Sequence, residues 1–254
     1  MKVCRLAPYN IRVDGLSPAF PLGIAATGVD IIPRNSNQRL NLKEVKVKIG
    51  ILSLLIGKIN TQVNLQASRG SLVAETSIGI GSLIGGNPMP SAVEINADNF
   101  VIDSLMDFFL SSFANDPTMN PLVAPLLGQI KIRGALDGSM AVNLDSRDPT
   151  QSKGLIDLSI KNGSFVIDDP GINISPQNFS KFTVRGKLEK GTFLLDQISG
   201  IKSQSLQLDL NGSVELKENV MNSLMNLNLF AKLEKELNEN FGMIVNAALG
   251  GQNG

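Results

Sequence analysis

Residues 59–80, INTQVNLQASRGSLVAETSIGI, decide the fold. Ile59, Thr61, Val63, Leu65 and Ala67 all fall on odd numbers. After Arg69-Gly70 the apolar set moves to even numbers: Leu72, Ala74, Thr76, Ile78 and Ile80. A period of two puts one face of a strand towards a core or ligand and the other towards water. A two-residue hairpin loop reverses parity, so this inversion predicts two strands that pair Ala67 with Leu72.

The same inversion recurs further along the chain. At Asn162-Gly163, Ile156, Leu158 and Ile160 give way to Phe165 and Ile167. At Lys190-Gly191, Phe182, Val184 and Leu188 give way to Phe193 and Leu195. Each predicts a hairpin. Further strands follow from Tyr9-Ile11-Val13, Val45-Val47-Ile49 and Val93-Ile95-Ala97-Val101, the last broken by Asn99. Ile130 to Leu144 keeps one parity across Asp137-Gly138-Ser139, which predicts a three-residue loop with a bulge. Leu206, Leu208, Leu210, Val214 and Leu216 share a face, and Leu227 to Leu233 makes a last strand. Gly134, Gly186 and Gly212 fall on apolar faces, where mid-strand glycine marks bends and close approaches.

Helical signals are few. Residues 103–113 open with Ser104-x-x-Asp107 and carry one stripe of Leu105, Phe108, Phe109 and Phe113. A short apolar piece spans 121–127, and 234–249 places Leu237, Phe241, Ile244 and Ala248 on one side. A dozen half-apolar strands expose more apolar face than two or three short helices cover. Three arrangements solve this: a sandwich, a closed barrel, or one long sheet rolled into a trough.

Composition narrows the function. The 254 residues hold 23 basic and 23 acidic side chains, no basic excess for gripping nucleic acid. There is no histidine, which removes Ser-His-Asp and Cys-His catalysis and histidine-ligated zinc. Cys4 has no second cysteine to pair with, tryptophan is absent, and Tyr9 is the only tyrosine. Base- or sugar-stacking platforms therefore lack material. No apolar run approaches the roughly 18 to 20 residues of a membrane helix, and residues 1–8 lack the apolar core of a signal peptide.

Local motifs read as structure. Gly79-x-Gly81-Ser82-Leu83-Ile84-Gly85-Gly86 matches neither phosphate-loop pattern and reads as a flexible turn. Asp168-Asp169 and Asp145 with Asp148 lack metal-ligand spacing and read as solvated turns. A carboxylate-only hydrolase is the enzymatic rival, and it would require a strongly raised carboxyl in a cleft. The expectation is a protein with no catalytic residue, no metal and no cofactor.

The order of several segments is similar to a known family. Phe20-Pro21-Leu22-Gly23, Gly28-Val29-Asp30-Ile31 and Leu40 to Val47 precede residues 51–58, ILSLLIGK, and Ala67-Ser68-Arg69-Gly70-Ser71-Leu72. Gly154-Leu155-Ile156-Asp157-Leu158, Lys161-Asn162-Gly163 and the alternating run 206–216 follow. This order resembles the type II secretion system protein N family in its AsmA-like form, over most of residues 20 to 235. The resemblance implies a periplasmic β-rich body, tethered by an N-terminal inner-membrane helix and associated with the secretion machine. Its wider AsmA-like and TamB-like relatives roll long sheets into apolar grooves linked to phospholipid movement. The membrane helix is absent from this chain, as is a closing C-terminal strand.

The combined expectation is a single domain over 1–254, mostly β, with a long, curved antiparallel sheet rolled into a groove and two or three short helices. A β-sandwich is the alternative. The expected function is a non-enzymatic periplasmic component or assembly factor of a type II secretion system, partnered by other secretion components and by phospholipid. An AsmA/TamB-like lipid-transfer protein unrelated to secretion is the alternative. The expected groove lining is Val184, Leu188, Phe193, Leu195, Leu206, Leu208, Leu210, Val214 and Leu216. The expected plug is Leu105, Phe108, Phe109 and Phe113.

Overall fold

The computed structural model describes residues 2–6, 9–33, 39–84, 90–115, 128–145, 148–168, 176–196, 200–202, 206–216 and 223–233. The first half holds β1 (Lys2–Leu6), β2 (Tyr9–Val13), β3 (Gly15–Ala19), β4 (Gly23–Pro33), β5 (Leu40–Ile49), β6 (Lys58–Gln66), β7 (Ser71–Gly79) and β8 (Ala92–Val101). The second holds β9 (Ile130–Asn143), β10 (Lys153–Ile167), β11 (Gln177–Glu189), β12 (Thr192–Leu195), β13 (Gly200–Lys202), β14 (Leu206–Glu215) and β15 (Leu224–Leu233). All fifteen belong to one antiparallel sheet. Its main path runs β1-β2-β4-β5-β6-β7-β8-β9-β10-β11-β12-β14-β13, with β3 on β4 and β15 on β14. The sandwich alternative is not what the chain adopts.

Helices are short. Those with described bounds are α1 (Ile51–Leu55), α2 (Ile80–Ile84) and α3 (Asp103–Ala114), with a 3-10 turn over Pro149–Gln151. The expected helix over 103–113 is α3, extended by one residue. The apolar pieces 121–127 and 234–249 lie outside the described residues. Residues 80–84, read from the sequence as part of a flexible turn, form α2 instead.

Three parity inversions have three different origins. At Lys190-Gly191 both residues have positive φ, +50° and +73°, and Glu189 faces Thr192, the two-residue hairpin expected. At Arg69-Gly70 the turn is four residues long. Leu65, not Ala67, faces Leu72, and the Ala67 N–H donates to the Gly70 carbonyl at 3.3 Å. A register two residues away preserves parity, so alternation alone does not separate the two. At Asn162-Gly163 there is no hairpin. The residues lie inside β10, where the register against β9 shifts between Lys161 and Ser164, and Asn162 has φ +48°. A one-residue bulge inverts the pattern as a turn does.

A second bulge sits in β8, between Ala97 and Phe100, with Asn99 at φ +46°. It brings Phe100 and Ile102 inward, almost fully buried, in place of the Val101 expected from odd parity. β9 runs unbroken through Asp137-Gly138-Ser139, so the predicted loop there is absent. Gly138, at φ +116°, stays in register between Ala97 and Leu158, where a Cβ would meet the Asp157 carbonyl at 2.1 Å.

The sheet is curved around α3. Asp103 Oδ1 accepts from the Gly134 N–H of β9 at 3.1 Å, and Asp107 accepts from Arg133 Nη1 at 2.8 Å. One residue on, the Phe108 ring lies 5.7 Å from that of Tyr9 on β2. β2 and β9 stand six strand spacings apart, about 29 Å if the sheet were flat. A helix only about 10 Å wide touches both. The buried core accordingly gathers Val29, Leu42, Leu72, Ala97 and Phe100 with Phe108.

Candidate functional site

Strand register joins the apolar residues into continuous rows. Ile24 faces Val47, which faces Val63, then Ala74 and Ile95. From Ile95 the row passes to Met140, Ile156 and Gly186. It continues to Leu195, Gly212 and Leu227. Cross-strand partners share a face, so one apolar row crosses eleven strands, about 48 Å along the unrolled sheet. No charged residue interrupts it. A parallel row, nearer the hairpin end, includes Val93, Val142, Gly154, Leu188, Phe193 and Val214.

Burial along this face is graded. Near α3 the face is closed over, and Leu42, Phe100 and Ile102 are at most 2% exposed. Towards the opposite strand ends Val63, Ile95, Met140 and Ile156 are half-buried, and Ile24 and Val47 are exposed. The outer face is polar. Ion pairs Lys46–Glu44 (2.8 Å), Lys161–Asp137 (3.2 Å), Arg185–Asp157 (3.1 Å) and Lys187–Glu189 decorate it. The charged strands thus set their charge on this side, which also carries the exposed Leu155 and Leu194 beside Lys187.

The expected lining residues divide. Leu188, Phe193 and Val214 stand side by side, with Leu188 buried and the other two half-buried. Leu195 lies between Gly186 and Gly212, and Val184 faces Leu158. Leu210 faces Leu229. Leu206 and Leu208 take register positions opposite Leu233 and Ala231. Leu216 follows β14 and donates its N–H to the Gly191 carbonyl at 2.8 Å. The plug residues sit elsewhere. Phe108 is buried and Leu105 packs beside it at the β2–β9 part of the sheet, away from β11–β14. Phe109 is exposed, and Phe113 lies in the last turn of α3.

Glycines shape the face where aromatic rings cross it. A Cβ on Gly186 would meet Phe193 Cζ at 2.3 Å, and one on Gly163 would meet Phe179 Cζ at 2.3 Å. Each ring edge occupies the space that a side chain on the neighbouring strand would fill. Sequence reasoning marked Gly186 as a bend but missed that it seats Phe193. It also missed that Val47, Val63, Ile95 and Met140 belong to the same apolar face. Their shared parity was the available signal, and only register connects them.

Two concavities, of about 430 and 480 Å³, open on the outer face. The first holds Lys48, Gln62, Glu75 and Glu94 in one cross-strand row, with Gln62 Nε2 donating to Glu75 at 2.6 Å. The second holds Asp157, Arg185 and Lys187. Among the described residues no group of three His, Cys, Asp or Glu side chains is placed to hold a metal. Asp145 and Asp148 shape a turn. Asp145 accepts from the Asp148 N–H, and Asp148 accepts from the Thr150 N–H and hydroxyl. The Thr150 hydroxyl, then Gln151, holds the Asp148 carboxyl below its usual range. Asp168 pairs with Lys131, and Asp169 lies outside the described residues.

No family model, curated protein or solved structure matches this chain.

Proposed function

We propose that this chain is a non-enzymatic binding protein that holds acyl chains on the apolar face of its curved sheet. The observation that carries the reading is the uncharged row from Ile24 to Leu227. Each acyl methylene moved from water onto such a face contributes roughly 0.8 kcal/mol, so half a chain outweighs the cost of ordering it. The row offers hydrocarbon and no charge, so it accepts chains without selecting a headgroup. The sequence resemblance adds a setting: a periplasmic component or assembly factor beside a type II secretion system, attached to the inner membrane. Native mass spectrometry of protein purified from membranes tests the binding. Adducts of phospholipid mass support it, and a bare chain under conditions that preserve known lipid complexes contradicts it. Crosslinking in cells tests the setting. Recovery with secretion components supports it, whereas recovery only with lipid-transport machinery favours the AsmA/TamB-like alternative.

A further inference from the structure

Three neighbouring connections at one end of the sheet carry no charge. They are the β3–β4 turn, the β5–β6 connection with α1, and the β7–β8 connection with α2. Register puts them at the same end: Gly23 faces Lys48, Ile49 faces Thr61, and Lys58 faces Gly79. Backbone bonds tie them together, Ile49 N–H to the Leu22 carbonyl and Ile80 N–H to the Gly57 carbonyl, both at 2.9 Å. Residues 15–29, 49–57 and 76–93 contain no Asp, Glu, Lys or Arg. Further along the same end charge returns, with Asp145, Asp148 and Lys190.

The described apolar residues of these connections are bare. Phe20 is 89% exposed, Leu52 80%, Leu55 81%, Ile56 72% and Ile84 83%. The short helix α1 is inverted relative to a surface helix in water. Its single polar side chain, Ser53, is buried, donating to the Gly50 carbonyl at 2.6 Å and accepting from the Asn60 N–H at 3.3 Å. Its leucines point outward instead. A helix in water turns its apolar stripe inward, so the outward side of α1 is suited to an apolar medium.

We infer that this rim inserts into the surface of a lipid bilayer. Protein partners are held by hydrogen bonds and a polar rim around a packed centre. Here the protruding tips carry no charge to fix a register, which suits a fluid hydrocarbon rather than a shaped surface. The charges flanking α1 are both basic, Lys48 and Lys58. They match anionic headgroups while the leucines enter the acyl boundary. Ile24, Val47 and Ile49 connect the rim to the apolar face, so hydrocarbon is continuous from one to the other.

The test is co-flotation of the full chain with vesicles of phosphatidylethanolamine and phosphatidylglycerol. The wild-type chain floats with the vesicles. Leu52→Asp with Leu55→Asp lowers the floating fraction at least tenfold with an unchanged circular dichroism spectrum, because both positions are exposed. Leu155→Asp, exposed on the outer face away from the rim, floats as the wild type does. A wild-type chain that stays in the dense fraction overturns the inference, as does a folded double variant that floats equally well. Capture of a protein through the rim without vesicle flotation also overturns it. A chain that floats yet binds no acyl chain keeps the rim and loses the trough, so the two readings fail separately.

Discussion

The Phe108 ring packs against Tyr9 at 5.7 Å although 98 residues separate them in the chain, and it marks where the sheet folds back on its own helix. Arg133, on the far side of α3, holds Asp107 at 2.8 Å. The helix is therefore clamped between two parts of one curved sheet. It closes one end of an apolar face and leaves the other end open.

Phe108→Ala should cost about 3 kcal/mol, the range for emptying a buried aromatic site. Phe109→Ala, at an exposed neighbouring position, should cost less than about 1 kcal/mol. Urea unfolding of the two variants checks the contrast. Equal losses would mean that α3 does not dock through Phe108.

The Arg133 clamp is partly solvent-exposed, so its effect should be modest. Asp107 chiefly, by hydrogen bond, favours the charged guanidinium, against a smaller opposing contribution from burial. Asp107→Asn should destabilise the fold by about 1 kcal/mol. Amide exchange should rise first across residues 103–114. Unchanged exchange there would show that the clamp contributes nothing to docking.

Gly186→Ala should destabilise by about 2 kcal/mol, because the new methyl meets the Phe193 ring and the Leu194 carbonyl, at 2.3 and 2.7 Å. In a Phe193→Ala background the same change should cost about 1 kcal/mol less. The residual cost comes from the carbonyl, which cannot move aside without disturbing the β11–β12 pairing. Strict additivity in a double-mutant cycle would remove Phe193 from that seat.

Asp148 should titrate below the ordinary carboxylate value of 3.8. The sign follows from linkage. A lowered folded-state value favours the fold above the unfolded value, and that preference is lost as pH falls through the folded one. Carbon NMR of the carboxyl should show the low midpoint, and Thr150→Val should move it back up. No movement would detach the shift from the Thr150 hydroxyl.

The period-two pattern was enough to read a single class of structure, because alternation puts charge on one face and most of the hydrocarbon on the other. It was not enough to read connections. Asn162-Gly163 inverts parity through a bulge and Lys190-Gly191 through a turn, yet both present the same X-Gly pair and the same inversion. Neighbouring strands decide which occurs: β10 continues because β9 and β11 pair with it on both sides of Asn162. The apolar face was half legible. Leu188, Phe193 and Val214 emerge from local alternation, while their continuity with Ile95 and Met140 depends on registers that no single strand encodes. The Phe108 stripe was visible as a helix face, but its contact with β2 was not, since curvature belongs to the whole sheet. The inverted α1 escaped notice because a run of apolar residues looks like core until its surroundings are known.

The most direct measurement is photolabelling with a diazirine fatty acid, followed by peptide mapping. Acyl binding on the curved face predicts label on Ile95, Met140, Ile156 and Leu195, and none on the outer Leu155 and Leu194. Label concentrated on the outer residues, or none in a folded chain at saturating fatty acid, would contradict it.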